Sequence, residues 1–465
     1  MVGITKPKIG LLGLSQIPHD GLMPEVPVSQ ERLVRELVRR LDEVADIEFP
    51  GISTSREDTE KILENFNNSD VEGVLVVNLT YAPGMDIVQA FRKNRLPVLL
   101  ANIQPQHTIS LDWDWNSHIA NQGIGGLMDT ANMLVRLGYM PAVVTDDWQS
   151  EGFLKYFAGW ARTAGVVEKL AKTRLAIFGK ADRTGDILGD EAAFFRKLGV
   201  EIVRLDIDKV ADLAARVVDS RVAAQIEEDS KRFEVPQELS GEKHRNDIRM
   251  QIALERVLDE GRFDGFSINF DLRDEEGLLQ FPALAASNLM AKGYAFSTDG
   301  DVYALALGVI GNMLIGGSYY TSAYSMDFAR NACVLGNQYG ANWRLAKEGH
   351  PIVLEERPLG SGSKENPLVP SFAVKPGVAT VASFVPISGD YMRIVAMRGE
   401  VLDERGIIKG VPMNYLFFTP YVGVRPAMSD WLRLGGSHHQ VLWLGDHMGG
   451  LQLLCDQLDI ELVEV

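Results

Sequence analysis

Residues 71–103 read VEGVLVVNLTYAPGMDIVQAFRKNRLPVLLANI. Two apolar runs, VEGVLVVNL and LPVLLANI, lack polar alternation, and a helix is predicted between them around residues 86–94. A strand that is apolar at every position is buried on both faces, so this segment reads as a parallel pair covered by helices. The pattern extends in both directions. KIGLLGL (8–14) is another buried strand, and SQERLVRELVRRLDEV (29–44) is a helix with Ser29 at its N-cap and Leu33, Leu37 and Leu41 on one face. A second series begins near Arg174, where LAIFGK, a helix over 190–198, VEIVRLDI and FDGFSINF repeat the same grammar. The break between the two series falls at 165–173.

Beyond about residue 330 the grammar changes. ATVASFVPIS, YMRIVAMRGEVLD and HQVLWLGD are β-rich, with turn signals at Gly389, Gly399 and Gly406. The expected fold is α/β: two doubly wound parallel-sheet domains (1–170 and 171–328), then a C-terminal antiparallel β-rich, barrel-like domain (329–465). Residues 355–370, rich in Gly, Ser and Pro, form a long loop of the kind that is functional or mobile.

Composition limits the partners. The 465 residues carry a net charge of −17 with a pI near 5.0, which argues against a surface that tracks nucleic-acid phosphates. No apolar run approaches the ~18–20 residues that span a bilayer. No signal pattern precedes the first strand. Cys333 and Cys455 are the only cysteines and lie far apart, so a disulfide framework or thiolate metal site is not expected. The expected setting is the cytoplasm, with no nucleic-acid or membrane partner.

Four segments carry candidate chemistry. KADRTGDILGD (180–190) lacks the close glycine pair that a pyrophosphate needs and reads as a polar loop at the carboxyl edge of a sheet, open to a substrate role. DWDWNSHIANQG (112–123) sets Asp112, Asp114, His118 and Gln122 beside Trp113 and Trp115, which suits the hydroxyls and C–H faces of a sugar and equally suits a structural loop. YAFSTDGDVYALA (294–306) places Asp299 and Asp301 at a helix start, as cation ligands or acid and base, or as a capping pair. GGSHHQ (435–440) holds His438 and His439; in a strand, adjacent side chains point to opposite faces, so one of the two enters a given site.

The order of further pieces is informative. Ser15 and Gln16 follow the first strand, then come LTYAP (79–83), DWDWNSHIANQG, and FPALAASNLMAKGYAFSTDGD (281–301). GGSYYTSAYSMDF (316–328), VLGNQ (334–338), RPLGSGSKENP (357–367) and GGSHHQ complete the series. In this order and spacing the chain resembles L-arabinose isomerases, and its acidic pair resembles the matching segment of L-fucose isomerases. The resemblance implies three domains, a homo-oligomer (trimer or hexamer) whose sites are completed by a neighbouring subunit, and aldose–ketose isomerisation of a sugar through an enediol. It also implies manganese or another divalent cation held by two carboxylates and two histidines.

The implied ligands are altered here. The first carboxylate falls on Asp299, the second on Ser322, the first histidine on Gln338 and the last on His439. Asp299 and Ser322 occupy the catalytic positions, and Gln16, Trp113, Gln122, Asp301, Tyr324 and His438 are implied to bind substrate. Two strong ligands have become neutral groups, which lowers the expected affinity for a cation. Ser322 moves no proton at neutral pH without a partner base; Asp301 and Asp327 are the nearby acidic candidates to compensate. Three functions stay open on this reading: a ketol-isomerase acting on a pentose, hexose or derivative through a remodelled site, a non-catalytic sugar-binding or regulatory paralogue, and another sugar reaction of the epimerase or aldolase type.

Overall fold

A computed structural model describes residues 6–16, 25–179, 184–269, 281–357, 366–404 and 413–465. By its contacts the chain divides into two compact units, one holding Ile4–Lys169 with Gly449–Asp459 and the other holding Leu170–Met448 with Ile460–Val465.

The first unit is built on a parallel sheet of β1 (Lys8–Leu14), β2 (Asp46–Glu48), β3 (Ile52–Ser53), β4 (Gly73–Asn78), β5 (Val98–Asn102) and β6 (Ala142–Thr145). Its order is β2-β1-β4-β5-β6, with β3 also beside β1. The apolar runs behave as their lack of alternation requires: every residue of β4 is buried. Leu75 and Val77 face one core layer with Trp160, while Val74 and Val76 face another with Phe66 and Phe91.

The second unit joins two layers. A four-stranded parallel sheet, ordered β10-β9-β7-β8, uses β7 (Arg174–Phe178), β8 (Glu201–Leu205), β9 (Gly265–Ile268) and β10 (Ala295–Thr298). After it come β11 (Tyr319–Asp327), β12 (Ala332–Asn337), the small hairpin β13 (Val353–Glu356) with β14 (Leu368–Ser371), β15 (Gly377–Ser388), β16 (Tyr391–Val401), β17 (Asn414–Pro420), β18 (His439–Leu444) and β19 (Glu461–Glu464). Six of these close on themselves in the order β15-β18-β11-β12-β17-β16, because β16 pairs again with β15, and β19 adds in parallel to β16. The expected C-terminal barrel is therefore present. Gly389, at φ 54°, makes the turn between β15 and β16, whereas Gly399 lies inside β16, where a Cβ would strike the Thr419 carbonyl of β17. Gly406 lies outside the described residues.

Inside the barrel, Tyr319, Leu335, Val381, Met397, Leu416 and Leu442 share one core. Strand alternation turns Tyr320, Ser322, His439, Val441 and Trp443 to the outer face. The helix Val302–Ile315 lies between that face and the parallel sheet and is buried from Val302 to Gly311, as an all-apolar helix must be. It seats closely on β18. Trp443 Nε1 donates to Ser318 Oγ (3.2 Å), whose hydroxyl donates to the Gly308 carbonyl (2.9 Å). A Cβ at Gly311 would overlap both the indole nitrogen and the Ser318 hydroxyl. Gly311→Ala is therefore expected to destabilise the protein by about 1–3 kcal/mol, read as a lower urea midpoint; an unchanged or higher midpoint would refute the tight seating. Among the described residues no helix is long and apolar enough to cross a membrane.

Candidate functional site

β10 ends in a sharp turn. Asp299 takes a left-handed conformation (φ 61°) and Gly300 follows it (φ 76°), a state that aspartate and glycine tolerate better than other residues. The turn brings Asp299 and Asp301 to the carboxyl end of the sheet, against the outer face of β11 and β18. Asp301 does two things there. Its Oδ1 accepts from the Tyr303 and Ala304 N–H groups (3.0 and 2.9 Å), capping the helix Val302–Ile315. Its Oδ2 receives the Nδ1 edge of His439 at 2.9 Å. Both side chains are buried, at 2% and 5% exposure.

That contact fixes the imidazole. A carboxylate accepts only, so Nδ1 bears the proton at this contact, and in its neutral form the ring presents the lone pair of Nε2. Nε2 faces Asp299 Oδ2 at 3.9 Å. This is too long for a direct hydrogen bond and leaves room for a shared donor or cation between two electron-rich atoms. Asp299 Oδ2 also accepts from Thr298 Oγ1 (2.8 Å), which in turn meets the Tyr320 hydroxyl (3.0 Å). Tyr320 packs edge-on against His439, with ring centroids 5.3 Å apart. Burial first, and then the charges of Asp301 and Asp299, push the Tyr320 phenol well above its usual range, so it remains a neutral hydroxyl.

Ser322 on β11 stands directly opposite His439 on β18 and opposite Gly336 on β12, so its side chain shares the outer face with the histidine. A bulge between Ala323 and Ser325 leaves Tyr324 unpaired in the ladder, which re-aims it. Gln338 lies just beyond β12, the strand that pairs with the β11 strand carrying Tyr324. Burial raises the Tyr324 phenol, nearby Gln338 opposes the rise and the charge of Asp299 adds to it.

His438 is also close. β18 begins at His439, so the two histidines are not yet under strict strand alternation, and their rings lie 3.9 Å apart. His438 Nδ1 contacts Asp186 Oδ2 at 2.8 Å. Asp186 comes from the polar loop after β7. Burial alone would push its carboxyl up, and the hydrogen bonds from the main chain and ring of His438 and from Ser437 outweigh that and hold it below the ordinary aspartate range. Asp327, by contrast, is taken up by the Ala329 and Arg330 N–H groups and an ion pair with Arg330 (2.7 Å).

The second unit thus gathers Asp299, Asp301, Ser322, Tyr324, Gln338, His438 and His439. Gln16, Trp113 and Gln122 belong to the first unit. There Gln16 N–H donates to Thr80 Oγ1 (3.3 Å), Asp114 caps the helix Trp115–Ala120 through the Ser117 N–H (2.7 Å), and Gln122 precedes the helix Gly123–Arg136 without a side-chain cap. Most of the loop RPLGSGSKENP lies outside the described residues. Sequence reasoning did not single out Asp186, Thr298 or Tyr320. Tyr320 was signalled by its two-residue spacing from Ser322, and Asp186 by its place in a crevice-edge loop.

As a cation site the donor set is thin. Asp299 and His439 supply one anionic oxygen and one imidazole nitrogen, while Ser322 and Gln338 are neutral. Among the described residues, no group of three or more His, Cys, Asp or Glu side chains is placed to hold a metal. These residues do not reproduce a tight cage of carboxylates and histidines for a divalent ion.

Comparison with known proteins bears on the whole chain. The model of the L-arabinose isomerase central domain matches residues 178–316, and that of the L-arabinose isomerase C-terminal domain matches residues 317–461. A protein named L-arabinose isomerase from Nocardioides sp. is 29% identical over 407 residues, covering 84% of this chain and 80% of that one. Another of the same name, from Klebsiella pneumoniae subsp. pneumoniae, is 25% identical over 470 residues, covering 98% and 93%. With the two domain models matching residues 178–461 without a break and relatives aligned over most of its length, the chain belongs to the L-arabinose isomerase family.

Proposed function

We propose that the chain is a sugar aldose–ketose isomerase whose proton transfer centres on Asp299, with His439 held opposite it by Asp301. The observation that carries this is the 3.9 Å gap between Asp299 Oδ2 and His439 Nε2. A substrate hydroxyl beside that gap can donate its one proton to His439 Nε2 while the neighbouring C–H faces Asp299. Asp299 then takes the proton from C2, an enediol forms, and the same carboxyl, its proton exchanging with solvent while the enediol lasts, delivers a proton to C1. His439 Nε2 accepts the hydroxyl proton as the carbonyl moves from C1 to C2 and gives it back to the new alcohol. Thr298 fixes the carboxylate, and Tyr320 covers the imidazole from the side. Family membership supports the reaction class, and the relatives' names make L-arabinose the first sugar to test.

In this reading, a divalent cation at Asp299, Ser322, Gln338 and His439 is held weakly, because only two of the four are strong ligands. The isomerase reading is favoured over a non-catalytic paralogue because Asp299 and His439 set a carboxylate and an imidazole nitrogen on the two sides of one gap, the acid–base pair that proton transfer needs and a bare binding pocket does not. The test is proton exchange: the purified protein is incubated with L-arabinose and other aldoses in D2O, with and without added manganese, and deuterium at C1 and C2 is followed by NMR. Incorporation in at least one sugar is expected. None in any sugar under either condition would remove the reading.

A homo-oligomer is part of the same proposal. The helix Gly123–Arg136 exposes Ile124, Met128 and Val135 at spacings of four and seven, an apolar stripe that suits contact with another copy. A monomeric mass by light scattering would count against it. The free, buried thiols of Cys333 and Cys455 agree with a reducing, cytoplasmic setting.

A further inference from the structure

We propose that Asp186 is a positioning residue of the sugar site, acting through His438 to present that ring's Nε2 to a hydroxyl of a polyol. The inference rests on the sugar-site reading above but assigns a residue which that reading does not use.

Three donors converge on a single oxygen, Asp186 Oδ2: Ser437 Oγ at 3.1 Å, the His438 main-chain N–H at 2.9 Å and His438 Nδ1 at 2.8 Å. The loop that carries Asp186 is well anchored. Ile187 beside it is buried, and Asp190 caps the helix Glu191–Leu198 through the Ala192 and Ala193 N–H groups. Ser437 and the main-chain N–H alone would clamp the entry into β18. The ring is a surplus. A half-exposed imidazole–carboxylate contact adds little stability, and His438 is 45% exposed.

What the contact does is set direction. With Nδ1 facing a carboxylate, the neutral ring keeps its proton on Nδ1 and offers Nε2 as an acceptor. No other described residue hydrogen-bonds Nε2. The ring lies 3.9 Å from that of His439, whose own Nε2 faces Asp299. Two imidazoles, each oriented through Nδ1 by an aspartate from a different βα loop of the parallel sheet, thus stand side by side. His439, buried, faces the reacting carbons; His438, half-exposed, is placed for a hydroxyl further along the sugar. A hydrogen bond made by a pre-oriented group is worth more because less order is lost on binding.

Two measurements at one fixed pH test this on the full-length protein. Nitrogen-15 NMR of histidine-labelled protein reads the tautomer, with the His438 signals identified by their loss in His438→Gln. Titration with L-arabinitol, ribitol, xylitol and galactitol reads the dissociation constant without requiring turnover. The wild type is expected to show the Nδ1-protonated form and to bind at least one alditol. Asp186→Ala is expected to lose that tautomer preference and weaken binding about three- to tenfold, the worth of one hydrogen bond. Asp186→Asn can set its carbonyl oxygen where Oδ2 accepts all three donors; it is expected to fold normally, keep the Nδ1-protonated tautomer and restore most of the affinity that the alanine variant loses. Wild-type affinity in the alanine variant, or a weakened alanine variant that keeps the wild-type tautomer, would make Asp186 a clamp only and overturn the proposal, as would a wild type that binds none of the alditols. Alditol binding that depends on Asp186 without deuterium exchange would instead sink the isomerase reading and leave this one standing.

Discussion

Asp299→Asn is expected to lower the rate of deuterium incorporation into the sugar by about 10²–10⁴-fold while leaving the thermal midpoint of the protein unchanged. The substitution is nearly isosteric and removes only charge and basicity. Asparagine tolerates the left-handed conformation that Asp299 adopts at φ 61°. Its carbonyl oxygen still accepts from Thr298 Oγ1, the bond that Asp299 makes at 2.8 Å. What it cannot do is take a proton from carbon. Ser322→Ala serves as the contrast, since a hydroxyl opposite His439 without a base of its own supplies no such step, and its loss is expected to change exchange by no more than a few-fold. A drop of less than tenfold in the asparagine variant would show that another group moves the proton. A comparable loss in Ser322→Ala would mean that β11 has kept part of the chemistry.

The sequence made the layers legible because their physics is local. VEGVLVVNL and KIGLLGL have no polar alternation, so they become parallel strands buried on both faces. Closure of the barrel was less legible. It depends on β11 reaching β18 across more than a hundred residues, as in the pair Ser322 with His439, and no local signal records that pairing. The same long range hid Asp186, which meets His438 across 252 positions. The DGD segment was legible as chemistry, but the choice between a cap and a functional pair was a false one. Asp301 caps with one oxygen and orients His439 with the other. The adjacent histidines were read by strand alternation, and because the strand begins only at His439, the rule does not separate them.

Because Asp301 has two jobs, two substitutions are expected to part them. In Asp301→Asn the single carbonyl oxygen takes over the cap, accepting from the Tyr303 and Ala304 N–H groups. The amide nitrogen then faces His439 Nδ1. Since that nitrogen only donates, Nδ1 becomes the acceptor and the imidazole proton moves to Nε2. The lone pair that faced Asp299 becomes an N–H, which donates to the carboxylate and closes the gap meant for substrate. Exchange is expected to fall by at least about tenfold and up to about 10⁴-fold, the scale seen when an orienting carboxylate forces the wrong tautomer, with unfolding changed by less than about 1 kcal/mol. Asp301→Ala loses both functions. A lost cap costs about 0.5–2 kcal/mol and a lost hydrogen bond to a charged group about 1.5–3 kcal/mol, so a destabilisation of several kcal/mol is expected together with the loss of exchange. Urea unfolding and deuterium exchange measured on both variants separate the roles. Wild-type exchange in Asp301→Asn would reduce Asp301 to a helix cap, and His439 would then owe its orientation to its packing against Tyr320 and His438 alone.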